Sequence, residues 1–152
     1  MPRGTLGEIV ARSPGVTAGY LNDPEQTARA LAGGWLHTGD LGYMDRDGYI
    51  FIGDRAKDMI VTGGENVFSA EVETAIASCP GVAQVAVIAI PNDQWGEAVH
   101  AVVVPVAGAV LTSEQIIAHC RARIAGFKCP KSVDVRAEPL PLSGVNKVQK
   151  NV

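Results

Sequence analysis

Four short stretches of the 152-residue chain hold the residue types that can do chemistry. The first is Gly34-Trp35-Leu36-His37-Thr38-Gly39-Asp40. Asp40 follows a glycine at the end of a β-like run, and a carboxylate so placed accepts two hydrogen bonds from the vicinal hydroxyls of a ribose. The plainer reading is a turn aspartate bonded to its own backbone. The second is Gly53-Asp54-Arg55-Ala56-Lys57-Asp58, in which four of six residues are charged. Arg55 offers a fork of donors to sugar or phosphate oxygens. Lys57 stands where backbone rotation would swing one part of the chain against another. A solvated linker has the same composition. The third is Thr62-Gly63-Gly64-Glu65-Asn66. Its glycines suit a tight turn, and a missing side chain at Gly64 also leaves room for a thin ligand beside the backbone. The fourth runs from Leu140 to Lys150. Lys147, on a loop of small residues, can bring positive charge to developing phosphate and carboxylate charge. A solvated lysine accounts for it equally well, and no GxxxxGK[ST] phosphate loop is present.

The elements around these stretches alternate between β and α. Residues 7–12 alternate like a strand. Asp23, Pro24 and Gln26 predict a helix opened by a capping box and closed by Gly33-Gly34. Residues 35–53 read as β, with Asp45-Arg46-Asp47-Gly48 turning a hairpin. The charged stretch 53–58 then reads as an exposed joint. Beyond it, residues 59–61 and 66–68 flank the Gly63-Gly64 turn. Ser69 is placed to cap a helix through Cys79, with Val72, Ile76 and Cys79 on one face. Residues 82–90 and 99–106 are apolar strands around a polar loop at 91–97. Thr112 to Gln115 opens a second helix by a capping box, and Gly126 ends it. Residues 132–136 form a last strand. Before the joint, about fifty residues are too few for a good core of their own. The part after it is an α/β unit able to fold independently.

Composition narrows the classes. Apolar residues make up 47% of the chain and charged residues 19%, which fits a packed core rather than disorder. The longest apolar run, 85–90, is far short of the roughly 18 residues a membrane span needs, and no leader follows Met1. Three cysteines without CxxC spacing argue against a disulfide framework or a zinc site and fit a reducing cytoplasm. The net charge of −3 is uneven: residues 121–152 carry seven basic and two acidic residues. That basic end is either a solvated surface or a surface that meets phosphate. Nucleic acid is disfavoured, because no aromatics interleave with the basic residues.

In order and spacing, these stretches resemble the C-terminal part of the adenylate-forming (AMP-binding) enzymes, which include acyl-CoA synthetases, peptide-synthetase adenylation domains and firefly-type luciferases. The resemblance covers nearly the whole chain. Gly19-Tyr20 with Pro24-Glu25-Gln26-Thr27 is similar to GYxxxPExT, and residues 34–40 to GW(F/L)xTGD. Arg55 to Ile60 with Gly63 to Val67 resembles the hinge motif RxKDxIxxxGxN. Leu140-Pro141, Ser143-Gly144 and Lys147 resemble the terminal LPxTxxGK motif. Asn146 stands where the family pattern has glycine, which implies a stiffer loop.

The resemblance implies an α/β (α+β) fold: a small C-terminal domain with a β-hairpin and a mixed sheet flanked by helices, after a β-rich fragment of a large N-terminal domain. It implies residues 1–54 as the end of that large domain, 55–58 as a hinge and 59–152 as a mobile domain. Asp40 and Arg55 would hold the nucleotide near its ribose. Lys57 would be the hinge residue, and Gly64 would line the coenzyme A tunnel. Lys147 would be the catalytic lysine of the first half-reaction. The implied activity is that of an acyl-CoA ligase, of the fatty-acid type, which joins a carboxylic acid to coenzyme A through an acyl-adenylate. ATP, Mg2+ and coenzyme A are the implied co-reactants, with the magnesium segment upstream and no metal site in this chain. By itself the chain is expected to be inactive and prone to self-association. Two other readings stand beside this one: an adenylation domain that loads a carrier protein, and a non-catalytic module.

Overall fold

A computed structural model describes residues 2–144 and 147–150. The chain divides into two compact units, with the boundary between Lys57 and Asp58.

In the first unit, β1 (Gly7–Ala11) pairs antiparallel with β2 (Leu36–Met44), which pairs antiparallel with β3 (Ile50–Arg55). The helix α1 (Pro24–Ala30) lies between β1 and β2 in sequence. Asp23 caps α1 as expected, its carboxylate accepting from the Gln26 N–H at 2.8 Å. The reciprocal half of the capping box is not made, because the Asp23 N–H donates to the Tyr20 carbonyl instead. The helix also stops before the glycine pair, which belongs to a 3-10 turn at Ala32–Gly34. The charged stretch 53–58 is not a joint throughout. Arg55 still pairs with Asp40 in the sheet, and the turn occupies only residues 56–58.

The first unit has almost no interior. Every buried hydrophobic side chain among the described residues lies between Ile60 and Leu140. The sheet instead exposes Tyr43, Met44, Tyr49, Ile50, Phe51 and Ile52. Tyr43 and Phe51 stack with centroids 5.2 Å apart.

The second unit is built on β4 (Ile60–Thr62), β5 (Glu65–Val67), β6 (Val82–Asn92), β7 (Gly96–Pro105) and β8 (Ser132–Val135). The order is β5-β4-β7-β6, and β8 pairs parallel with β7. β4 meets β7 at Gly96, and β8 pairs with it at 100–103. The polar loop expected at 91–97 is mostly strand. Asn92 closes the short turn by accepting from the Gln94 and Trp95 N–H groups, each at 3.0 Å.

Period-two alternation sorts the strand residues onto two faces. Val87, Val99, Ala101 and Val103 pack with Val72 and Ile76 of α2 (Ser69–Ala77) and with Ile116 and Cys120 of α3 (Ser113–Arg121). Burying side chains the size of Ile76 or Ile116 stabilises by about 1.5–3 kcal/mol each. The other face carries Ala86 and Val104, covered by Leu140 with Val102 and Val148 against them. The Thr112–Gln115 capping box is complete, whereas Ser69 is not a cap. Phe68 holds the cap position of α2, and Ser69 is fully buried in the first turn. The helix ends at Ala77 rather than Cys79. α3 ends at Arg121, and Gly126 opens a 3-10 turn of its own. No helix among the described residues is long and apolar enough to cross a membrane.

Candidate functional site

Asp40 sits in the middle of β2 rather than at a strand end, where a bulge carrying Gly39 (φ +72°) breaks the β1–β2 register. Thr38 donates its hydroxyl to the Ile9 carbonyl at 2.7 Å and accepts from the Asp40 N–H at 3.0 Å. One oxygen of Glu8 accepts from the Gly39 N–H at 3.0 Å. The other lies 2.7 Å from His37 Nδ1. The hydrogen bond to Glu8 holds the His37 ring above its ordinary pKa, and the same bond holds Glu8 below its own. These contacts of Glu8 are not legible in the sequence, because an acidic residue in an alternating strand looks like any solvent-facing position. Its bonds come from the β1–β2 register, which lays it across the bulge before Asp40.

Arg55 is brought directly to Asp40. The two are cross-strand partners, and Arg55 Nε donates to Asp40 Oδ1 at 2.9 Å. Both remain partly open to solvent, so the pair is a paired but accessible donor–acceptor set. The Ala56 N–H donates to the Gly39 carbonyl at 2.8 Å, which ties the start of the following turn back to the same loop. Lys57 follows in that turn, exposed, as the last residue of the first unit.

Gly64 lies in the β4–β5 turn of the second unit. Both Gly63 and Gly64 have positive φ, +59° and +84°. Their surroundings differ. A Cβ on Gly63 would fall 2.8 Å from the Trp95 ring, whereas one on Gly64 would meet nothing within 4 Å. The Gly63 N–H also donates to the Trp95 carbonyl at 2.9 Å. Gly63 is thus closely packed against Trp95, whereas the space beside Gly64 is open.

Lys147 lies beside a short antiparallel pairing near the C-terminal end of the described residues. Leu142 bridges Val148, the Ser143 N–H donates to the Lys147 carbonyl at 2.7 Å, and the Gln149 N–H donates to the Pro141 carbonyl at 2.9 Å. The side chain of Lys147 is exposed. The unusual Asn146 lies outside the described residues. The structure therefore brings Asp40 and Arg55 together, but places Gly64 and Lys147 on separate elements of the second unit.

The basic C-terminal end is partly neutralised. Lys128 pairs with Glu71 at 2.7 Å, Lys150 with Glu73 at 2.7 Å and Arg136 with Glu138 at 3.9 Å. Its positive charge is thus in part structural and only in part available to a phosphate ligand. Among the described residues, no group of three or more His, Cys, Asp and Glu side chains is arranged to hold a metal ion. The three cysteines are free and buried. Burial, with Cys129 close by, pushes the Cys120 thiol up to about 11, which disfavours its thiolate at neutral pH.

A family model described as the AMP-binding enzyme C-terminal domain matches residues 71–147. The chain belongs to this family. A feruloyl-CoA synthase of an Amycolatopsis species is 46% identical over 150 residues, covering 99% of this chain and 30% of the relative. A long-chain-fatty-acid–CoA ligase of Mycobacterium tuberculosis is 44% identical over 146 residues, covering 96% of this chain and 29% of the relative. The structure of o-succinylbenzoate CoA synthetase from Bacillus subtilis, in complex with its acyl-adenylate intermediate, superposes with a TM-score of 0.91 at 34% identity. That match covers 99% of this chain and 31% of the other. The chain thus spans about three-tenths of the length of the curated relatives it matches.

Proposed function

We propose that this chain is the C-terminal portion of an ATP-dependent acyl-CoA ligase. In the first half-reaction a carboxylate oxygen of the acid attacks the α-phosphorus of ATP. The bond to pyrophosphate breaks, giving acyl-adenylate. In the second, the thiol of coenzyme A attacks the acyl carbon, AMP leaves, and the thiol proton passes to solvent. The observation that carries the reading is the exposed Lys147 beside an antiparallel pairing fixed to the second unit. Its ammonium would lie between two anions that must meet in the first step, where preorganised positive charge lowers the barrier most.

Asp40 would accept the ribose hydroxyls, and Arg55, released from Asp40 or shared with it, would donate to the same nucleotide. Rotation at Lys57 would withdraw Lys147 after the first step and present Gly64. The open space beside Gly64 would then take the pantetheine arm. The three-cysteine interior, with no disulfide among the described residues, suits a reducing, cytoplasmic setting. Mg2+ would accompany ATP on residues upstream of this segment; among the described residues no group of His, Cys, Asp and Glu side chains is arranged to hold it. The acid would be chosen by an upstream pocket. The relatives' names range from an aromatic acid to a long-chain fatty acid, and fatty-acid activation is the reading we favour.

The acceptor is tested by incubating the ligase that carries this segment with ATP, a panel of acids, and either free coenzyme A or a phosphopantetheinylated carrier protein. Thioester on free coenzyme A is expected. Thioester on the carrier alone would replace this reading with that of a carrier-loading adenylation domain.

A further inference from the structure

The segment from Leu140 to Lys150 is anchored at both ends, on opposite faces of the second sheet. At its start, Leu140 is buried and its N–H donates to Gln84 Oε1 on β6 at 2.8 Å. Val148 then packs against the cluster of Ala86, Val104 and Leu140, on the face away from the helices. Exposure alternates along the strand that follows: Lys147 and Gln149 face solvent, while Val148 and Lys150 are half-buried. This is the period-two pattern of an extended chain with one face seated.

The last seated side chain reaches the helix side of the sheet. Lys150 Nζ donates to Ser69 Oγ at 2.7 Å and lies 2.7 Å from Glu73 Oε1. Ser69 is fully buried, and the side chains of Lys150 and Glu73 are only 20% and 25% exposed. The same Glu73 oxygen accepts the Val87 N–H of edge strand β6 at 2.9 Å. One carboxylate therefore ties together α2, β6 and the end of the C-terminal segment. Charge-assisted bonds in a half-buried setting are stronger than exposed ion pairs.

We propose that Lys150 is a positioning residue, whose ammonium, held by Ser69 and Glu73, latches the outgoing strand that presents Lys147. The functional half of this proposal rests on the reading of Lys147 given above. Without the latch, the outgoing strand would be held only by Val148 and by its hydrogen bonds to Pro141 and Ser143. Lys147, three residues from Lys150, would then sample a wider range of positions, at a cost in the orientation that the first half-reaction needs.

The latch is tested in the 152-residue chain by amide hydrogen exchange of Ser143 and Gln149, two donors of the antiparallel pairing. In Lys150→Met, which keeps the stem and removes the charge, both amides should exchange about tenfold faster. Lys150→Arg should stay within about twofold of the native chain. Core amides of β6 and β7 report whether the fold is intact. If Lys150→Met loosens these as well, the arginine variant decides: slow exchange at Ser143 and Gln149 supports the latch, and fast exchange overturns it. Unchanged exchange at both amides in Lys150→Met, with the core intact, also overturns it.

The positioning role is read in the ligase carrying this segment. Lys150→Met should slow acyl-adenylate formation about tenfold, spare thioester formation from supplied acyl-adenylate, and be rescued by Lys150→Arg. An equal loss in both half-reactions overturns the positioning role. If Lys147→Ala leaves adenylate formation intact, the reading of Lys147 fails. The exchange result on the latch is judged separately.

Discussion

Adding one methyl group at Gly63 or at Gly64 should separate packing from passage. Both residues have positive φ, so alanine at either one costs about 1–2 kcal/mol from backbone strain. At Gly64 that is the whole cost, because the new Cβ meets nothing within 4 Å. At Gly63 the Cβ would stand 2.8 Å and 3.3 Å from two carbons of the Trp95 ring. The Trp95 backbone is fixed by the Gly63 N–H and the Asn92 turn, so relief must come from displacing its part-exposed ring off the β4–β5 turn. Overpacking of this kind adds about 1–3 kcal/mol. Gly63→Ala should therefore lose roughly 2–5 kcal/mol and Gly64→Ala only about 1–2 kcal/mol. Urea unfolding followed by Trp95 fluorescence, in a Trp35→Phe background, measures both. In the ligase carrying this segment, the milder Gly64→Ala should be the variant that blocks thioester formation while leaving acyl-adenylate formation near normal. Equal destabilisation by the two substitutions would refute the packing argument. A Gly64→Ala enzyme with normal thioester formation would refute the passage argument.

Three further outcomes follow from the first unit. Arg55→Met should lower stability by less than about 1 kcal/mol, because its partnership with Asp40 is half-exposed, yet weaken ATP binding in the ligase; a large loss of stability with unchanged ATP binding would reverse that assignment. The bonds between Glu8, His37 and Gly39 should be tightest between about pH 4.5 and 6.5. His37, raised from 6.5, contributes fully below that value and loses its contribution as pH rises through the raised value; Glu8, lowered from 4.5, contributes above that value and loses it as pH falls through the lowered one. An NMR titration should show the His37 midpoint falling in Glu8→Gln, and an unchanged midpoint would contradict the pairing. The isolated chain should self-associate through the exposed Tyr49, Ile50 and Ile52 edge, and Tyr49→Lys with Ile52→Lys should restore a monomer in light scattering. A monomeric native chain at the same concentration would remove that expectation.

Local chemistry was the most legible part of the sequence. The Thr112–Gln115 box, the Asp45 to Gly48 turn and the Gly63-Gly64 turn all follow from side-chain donors or positive φ acting within a few residues. Element ends were less legible where a tertiary partner took over. Ser69 looked like a cap because of its type, but the fold buries it beneath Lys150, 81 residues away in sequence. The polar run at 91–97 looked like a loop because polarity was read without its partner strand, yet Pro91 and Asn92 pair with Glu97 and Gly96. The candidate site residues Asp40, Arg55, Lys57, Gly64 and Lys147 are legible from motif order alone. The contacts of Glu8 and Lys150 are not legible, because their partners are set by sheet register and by the path of the C-terminal segment. No spacing within the sequence encodes either. The basic end illustrates the same limit: its charge was countable, but its pairing with Glu71 and Glu73 was not.

The central claim is that Lys147 serves one half-reaction and not the other. In the ligase carrying this segment, Lys147→Ala should slow acyl-adenylate formation by roughly 10²–10³, the scale for removing one preorganised charge or donor. Measured in the same preparation, conversion of supplied acyl-adenylate and coenzyme A to thioester should be nearly unchanged. An equal fall in both rates would contradict the account.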